Sequence, residues 1–197
     1  MSVPATAFAD NRSNRFVLVP FCTLAQSFHA EGLVKYDWGG VIRPIIQILL
    51  DRDINIIQMP CMETMYHGGT RTGLNRKPQG MKKYDVPEFR EFCDQQARIV
   101  VEQIAGIVSN GYEVAAILGM EYSPSCAAKI QYPPKKGFAN RGVFMRALVN
   151  MLDDQDYGIP ILGINRRGLK PTLARLTAIL DETEIAELHL RLARRTS

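Results

Sequence analysis

Three short runs rich in β-branched and other apolar residues, Arg15–Pro20 (RFVLVP), Ile54–Met59 (INIIQM) and Val114–Leu118 (VAAIL), are separated by stretches of helical period. This alternation constrains the fold more than any other feature. Strands apolar on both faces belong inside a sheet that is covered on both sides, and strands joined through helices run parallel. A fourth run, Ile159–Ile164 (IPILGI), continues the pattern. The expected fold class is α/β, a Rossmann-like or flavodoxin-like parallel sheet of about four to five strands with helices on both faces.

The helices are read from their apolar spacing. Val41–Leu50 suits a helix whose first turn accommodates Pro44. Phe89, Phe92, Cys93, Ala97, Val100, Ile104 and Ile107 fall on one helical face between Pro87 and Val108, with Asn110-Gly111 as the stop. A further helix is expected from about Arg141 to Leu152, and a helix or helical pair at the surface over Pro171–Arg194. Met62–Val86 has no clear period and many Gly, Lys and Arg residues, which marks it as a functional loop. A chain of 197 residues supports one sizeable core. The division expected is an α/β domain over 1–165 and a C-terminal helical extension over 166–197.

The strand ends carry the chemistry. Cys22, Cys61 and Cys126 each lie just beyond a different strand. In parallel α/β sheets ligands bind beyond the carboxyl ends of the strands, so three cysteines distant in sequence can meet at one rim. Cys93 has no such placement and reads as a core residue on a helix. No CxxC pair is present, which weakens structural zinc. Three thiolates suit a 4Fe-4S cluster and leave one iron able to bind something exchangeable. His67 or His29 could close that position, although a lone histidine is more often a surface or hydrogen-bonded residue.

Composition narrows the class further. The net charge of +4 is concentrated in the region from Arg166 onward, which holds seven Lys and Arg against four Asp and Glu. The remaining body is nearly neutral and lacks the basic working surface of a nucleic-acid binder. No apolar run is long enough to cross a bilayer as a helix, and the first residues lack the basic start and apolar core of a secretory signal. A cytoplasmic protein is expected, without membrane or nucleic-acid polymer partners, as a monomer or homodimer. In a reducing compartment the four cysteines are core residues, nucleophiles or ligands rather than disulfides.

Several blocks in order resemble one family, the thiouracil desulfidases and their shorter relatives. They are VPFC (Val19–Cys22) with YDWGG (Tyr36–Gly40), IQMPCME (Ile57–Glu63) and SPSC (Ser123–Cys126). GLNRKP (Gly73–Pro78), YDVPEFR (Tyr84–Arg90) and GVFM (Gly142–Met145) are also similar to the shorter relatives. The likeness spans about residues 16–165, the extent of one domain. It implies non-redox desulfuration on a 4Fe-4S cluster held by Cys22, Cys61 and Cys126. A small thiolated substrate would bind the open iron through sulfur, and water would attack its carbon.

In that resemblance Glu63 matches the acidic residue of the family's Cys-Pro-Glu motif and would take the proton from water. Ser123 would orient the substrate or relay a proton. Without the resemblance, Glu63 also reads as a solvated loop carboxylate, and Ser123 and Ser125 as caps of a turn. Arg71, Asn75, Arg76 and Lys77 could receive an anion or face water. Two positions depart from the pattern: Met62 stands where the family has proline, and Ala127 where glycine follows SPSC. Pocket shape and substrate are expected to differ accordingly. The competing classes are a cysteine-based sulfur-transfer or persulfide protein and a non-catalytic metal-binding module.

Overall fold

The structure, a computed structural model, describes residues 10–34, 39–68, 80–130 and 141–195, with side chains to residue 182. Four strands form one sheet in the order β2-β1-β3-β4, all parallel. They are β1 (Arg15–Pro20), β2 (Asn55–Met59), β3 (Glu113–Met120) and β4 (Ile161–Ile164). Pro20 pairs with Met59 at the end of β1 and β2, and Met120 with Ile164 at the end of β3 and β4. The strand ends that precede the cysteines therefore line one edge.

The helices longer than a single turn or two are α2 (Arg43–Leu50), α5 (Pro87–Ser109), α6 (Val143–Asp153) and α7 (Leu169–Arg195), with short α1 (Phe21–Leu24), α3 (Met62–Tyr66) and α4 (Met81–Tyr84) near the rim. The chain steps from β1 to β2 in one direction and from β2 to β3 in the other. Right-handed crossovers then put α2 and α5 on opposite faces. The packing agrees: α5 lies against α6, and α2 against α7. Arg52, in the turn just after α2, meets Asp181 of α7 at 3.0 Å. This is the Rossmann-like α/β arrangement expected from the alternation.

Central strands are the most buried, as a doubly covered sheet requires. Val17, Leu18 and Val19 of β1 and Ala116, Ile117 and Leu118 of β3 are inaccessible to solvent. On edge strand β2, Gln58 is exposed, and Asn55 donates its side-chain amide to the carbonyls of Ser13 and Arg15. At the amino end of the sheet Arg15 is buried, donating to the Leu180 carbonyl at 2.6 Å and facing Glu113 at 3.6 Å. That end is tied together by structural bonds, and the cysteines occupy the other.

Several expected boundaries shift for local reasons. The last strand begins at Ile161 instead of Ile159, since Pro160 has no N–H and serves only as acceptor for the amide of Ile117. Helix α2 begins at Arg43, with Pro44 in its first turn. The segment read as an unbroken loop has helical ends, α3 and α4. The tail is one helix, and Leu176, Ile179 and Leu180 enter the core instead of lying at the surface. Among the described residues no helix is long and apolar enough to cross a membrane.

Candidate functional site at the carboxyl edge of the sheet

Cys22 is the second residue of α1, directly after β1, and is half-buried. Gln58 donates to the Phe21 carbonyl at 2.9 Å, which ties the start of α1 to β2. Cys61 is the N-cap of α3 with extended backbone, and its carbonyl accepts from the Met65 amide and the Thr64 hydroxyl. Cys126 is buried in the turn after β3, whose carbonyl returns to the amide of Met120 at 2.9 Å. All three follow the neighbouring strands β2, β1 and β3, and β1 and β3 flank the point where the strand order reverses.

Electrostatics link the three sulfurs. Burial pushes the Cys126 thiol well above its usual range; Cys61 adds to the shift, Ser125 opposes it by hydrogen bonding, and Cys22 and Glu63 add further. The Cys126 thiolate is thus disfavoured unless positive charge is brought beside it.

Glu63 stands in the first turn of α3 and is buried, with 6% of its surface exposed, which rules out a solvated loop carboxylate. Its Oε1 accepts from the Ser125 hydroxyl at 2.9 Å and the Ser123 hydroxyl at 3.1 Å. Ser123 also caps the turn, accepting from the amides of Ser125 at 3.3 Å and Cys126 at 3.0 Å. Capping and contact with Glu63 are therefore two jobs of one hydroxyl. Ser125 Oγ lies 3.5 Å from Cys126 Sγ and 3.2 Å from Ser123 Oγ. A hydroxyl has one proton, so Ser125 donates either to Glu63 or to sulfur while Ser123 continues to hold the carboxylate.

The Ser-Pro-Ser-Cys turn is seated on the start of α6. Gly142 donates to the Ala127 carbonyl, Val143 to Pro124 and Met145 to Ser125. Gly142 and Gly119 have no side chain because the turn occupies that space. A Cβ on Gly142 would overlap the Ser125 carbonyl and lie 2.7 Å from the Cys126 nitrogen; one on Gly119 would lie 2.6 Å from the Cys126 oxygen.

The structure thus brings Cys22, Cys61, Cys126, Glu63 and Ser123 to one rim. It adds Ser125, whose bond to Glu63 spans distant parts of the chain and left no local signal beyond its place between Ser123 and Cys126. Cys93 is fully buried on α5. The His67 ring belongs to an aromatic cluster with Tyr66 and Tyr84, and His29 is buried at the end of a 3-10 turn. Arg71, Asn75, Arg76, Lys77 and Tyr36–Trp38 lie outside the described residues. Among the described residues, no three or more His, Cys, Asp and Glu side chains converge closely enough to hold a single metal ion.

Fold and rim together define a parallel α/β protein with three cysteines and a serine-held carboxylate at the ligand edge. The chain is 26% identical over 134 residues to the uncharacterised protein MJ0003 of Methanocaldococcus jannaschii, a match covering 68% of this chain and 75% of that protein. No family model matches the chain, and no solved structure does.

Proposed function

We propose that this chain is a non-redox desulfidase that binds a 4Fe-4S cluster through Cys22, Cys61 and Cys126. It removes sulfur from the thiocarbonyl of a small thiolated molecule, in the manner of the thiouracil desulfidases. The observation that carries this reading is the buried Glu63 carboxylate, bonded to both serines of the turn that bears Cys126.

The donor set fits the group. Thiolates are soft ligands suited to iron-sulfur clusters, and each thiolate of a polynuclear cluster meets a different iron, so the convergence needed by one ion is not required. The buried Cys126 thiol, whose ionisation is disfavoured by burial and by the neighbouring sulfurs, also calls for a cationic partner. When bound, the cluster supplies a Lewis-acidic iron for the substrate sulfur.

The chain's own residues do the rest. Glu63 accepts a proton from the attacking water, whose oxygen bonds to the thiocarbonyl carbon. The carbon–sulfur bond breaks as the new carbonyl forms; sulfur leaves as sulfide, and one water is consumed for each thiocarbonyl. Ser123 and Ser125 fix the carboxylate, and the Ser125 hydroxyl offers a proton path between Glu63 and the sulfur side of the site.

Anaerobic reconstitution with iron and sulfide, followed by a sulfide-release screen over thiolated bases, nucleosides and thioamides, tests the proposal. Cys22→Ala, Cys61→Ala and Cys126→Ala each lose the cluster, and Cys93→Ala keeps it. Glu63→Gln keeps the cluster and lowers turnover about a hundredfold or more, the usual contribution of a general base. Zinc as the sole bound metal would favour a binding module, and a protein-bound persulfide without iron would favour a sulfur carrier.

A further inference from the structure

The segment after β3 closes on itself. Tyr122 donates its amide to the Ile130 carbonyl at 2.6 Å, and Met120 to Cys126, so Glu121–Ile130 forms a ring with Ser123–Cys126 as its inner turn. One side chain closes that ring. Glu121 is 5% exposed, and its Oε2 accepts from the amides of Lys129 at 3.2 Å and Ile130 at 2.8 Å. Its own amide donates to the Ile164 carbonyl of β4 at 3.1 Å. The carboxylate lies over Gly163, where any Cβ would overlap it.

The ring needs such a closure. Tyr122 has a left-handed backbone (φ +65°), which a residue other than glycine adopts only when its surroundings enforce it. The Arg167 guanidinium stacks over its ring, 4.4 Å from the centroid. Burial also pushes the Glu121 carboxyl above its ordinary range, with the Ile130 and Lys129 amides opposing the shift. A carboxylate kept in such a place at a cost in desolvation serves the groups it binds.

We infer that Glu121 is a positioning residue for the third sulfur ligand: its carboxylate ties the ends of the loop together and thereby fixes Cys126, Ser123 and Ser125 against Glu63. This rests on the desulfidase reading for its consequence, but its test does not require a cluster.

The experiment is pulsed alkylation of the full-length apo protein by iodoacetamide, read cysteine by cysteine by peptide mapping, with Cys93 as the internal control for folding. In Glu121→Ala, Cys126 labels about ten-fold faster or more, the change expected when a charge-assisted hydrogen bond is lost, and Cys93 stays protected. Glu121→Gln, which keeps an acceptor oxygen, falls between. Reconstituted Glu121→Ala also shows reduced iron content, while Glu121→Gln recovers most of it. Unchanged Cys126 labelling in Glu121→Ala overturns the inference. If Glu121→Ala exposes Cys93 as well, Glu121→Gln decides: faster Cys126 labelling with Cys93 protected supports the role, and equal labelling overturns it. Exposure of Cys93 in both variants also overturns it, since the carboxylate then holds the whole fold. An unsubstituted chain that takes up no iron would sink the desulfidase reading and leave the labelling result standing.

Discussion

Replacing Gly142 by alanine tests the seat of the Cys126 turn, because two effects of opposite sign compete there. Gly142 has φ −60° and ψ 159°, a conformation any residue adopts, so backbone strain plays no part. Reduced freedom of the unfolded chain would by itself stabilise Gly142→Ala by about 0.4–1 kcal/mol. Against this, the new Cβ would overlap the Ser125 carbonyl and approach the Cys126 nitrogen to 2.7 Å. Both are backbone atoms held in place, the Ser125 carbonyl by the Met145 amide of α6 and the Cys126 amide by the Ser123 hydroxyl, so no flexible side chain can yield. Overpacking of this kind costs about 1–3 kcal/mol, and alanine is also the poorer N-cap. The net expectation is destabilisation by about 1–2 kcal/mol, a fall in melting temperature of roughly 2–8 °C for a chain of this size. Gly106→Ala is the matched control: it sits in α5 with nothing within 4 Å of a Cβ, and alanine there stabilises by about 0.5–1 kcal/mol. Scanning calorimetry of the two variants should give shifts of opposite sign. A neutral or stabilising Gly142→Ala would mean that the turn does not rest on α6 and that Cys126 is not held beside Glu63.

Two other outcomes follow from titratable groups other than the three rim cysteines and Glu63. Burial pushes the Cys93 thiol up to about 12, with Asp94 and Glu63 adding and Arg146 opposing, so the folded protein retains this proton where the unfolded chain gives it up. The stability it contributes is complete below 9.0 and declines as pH rises toward about 12. Cys93→Ala should therefore cost about 1 kcal/mol at neutral pH, with the gap narrowing in urea titrations at pH above 9.0. A gap unchanged at high pH would contradict the burial argument. Burial raises Asp85, but hydrogen bonds from Arg90 at 2.6 Å and Arg146 at 3.0 Å outweigh it and hold the carboxyl below its usual value. Its contribution is present above 3.8 and lost as pH falls through the lower folded value. Asp85→Asn should cost about 0.5–1 kcal/mol at neutral pH and nothing once both states are protonated, checked by urea midpoints across the acid range.

Unbroken apolar runs alternating with helical stretches made the sheet legible in the sequence. Val17–Val19 and Ala115–Leu118 are apolar at every position, which only a doubly covered strand tolerates, and the cysteines after them mark the ligand edge. What the sequence could not show were features decided by contacts across the chain. Ser125 looks like a turn residue until Glu63, distant in sequence, is brought to its hydroxyl. Glu121 carries no local signal, because its role depends on β4 and on where the loop returns. The burial of α7 escaped the pattern because its apolar residues alternate with charges over a long helix, and only the packing of its first half on β3, β4 and α2 reveals which ones enter the core.

The two departures from the desulfidase pattern can be weighed in the same physical terms. Proline at the first position of α3 would pre-set the backbone; Met62 instead contributes a side chain with no exposed surface, packed into the core behind Cys61. Ala127 has no left-handed backbone, so glycine is not demanded there, and its amide and carbonyl bond to Ser123 and Gly142. Both changes are absorbed by packing and ordinary backbone geometry. If the three cysteines hold a cluster as proposed, their joint action turns on the seat of the Cys126 turn, where Gly119 and Gly142 leave room and the Glu121 carboxylate bonds the loop's end, and not on the residues that differ.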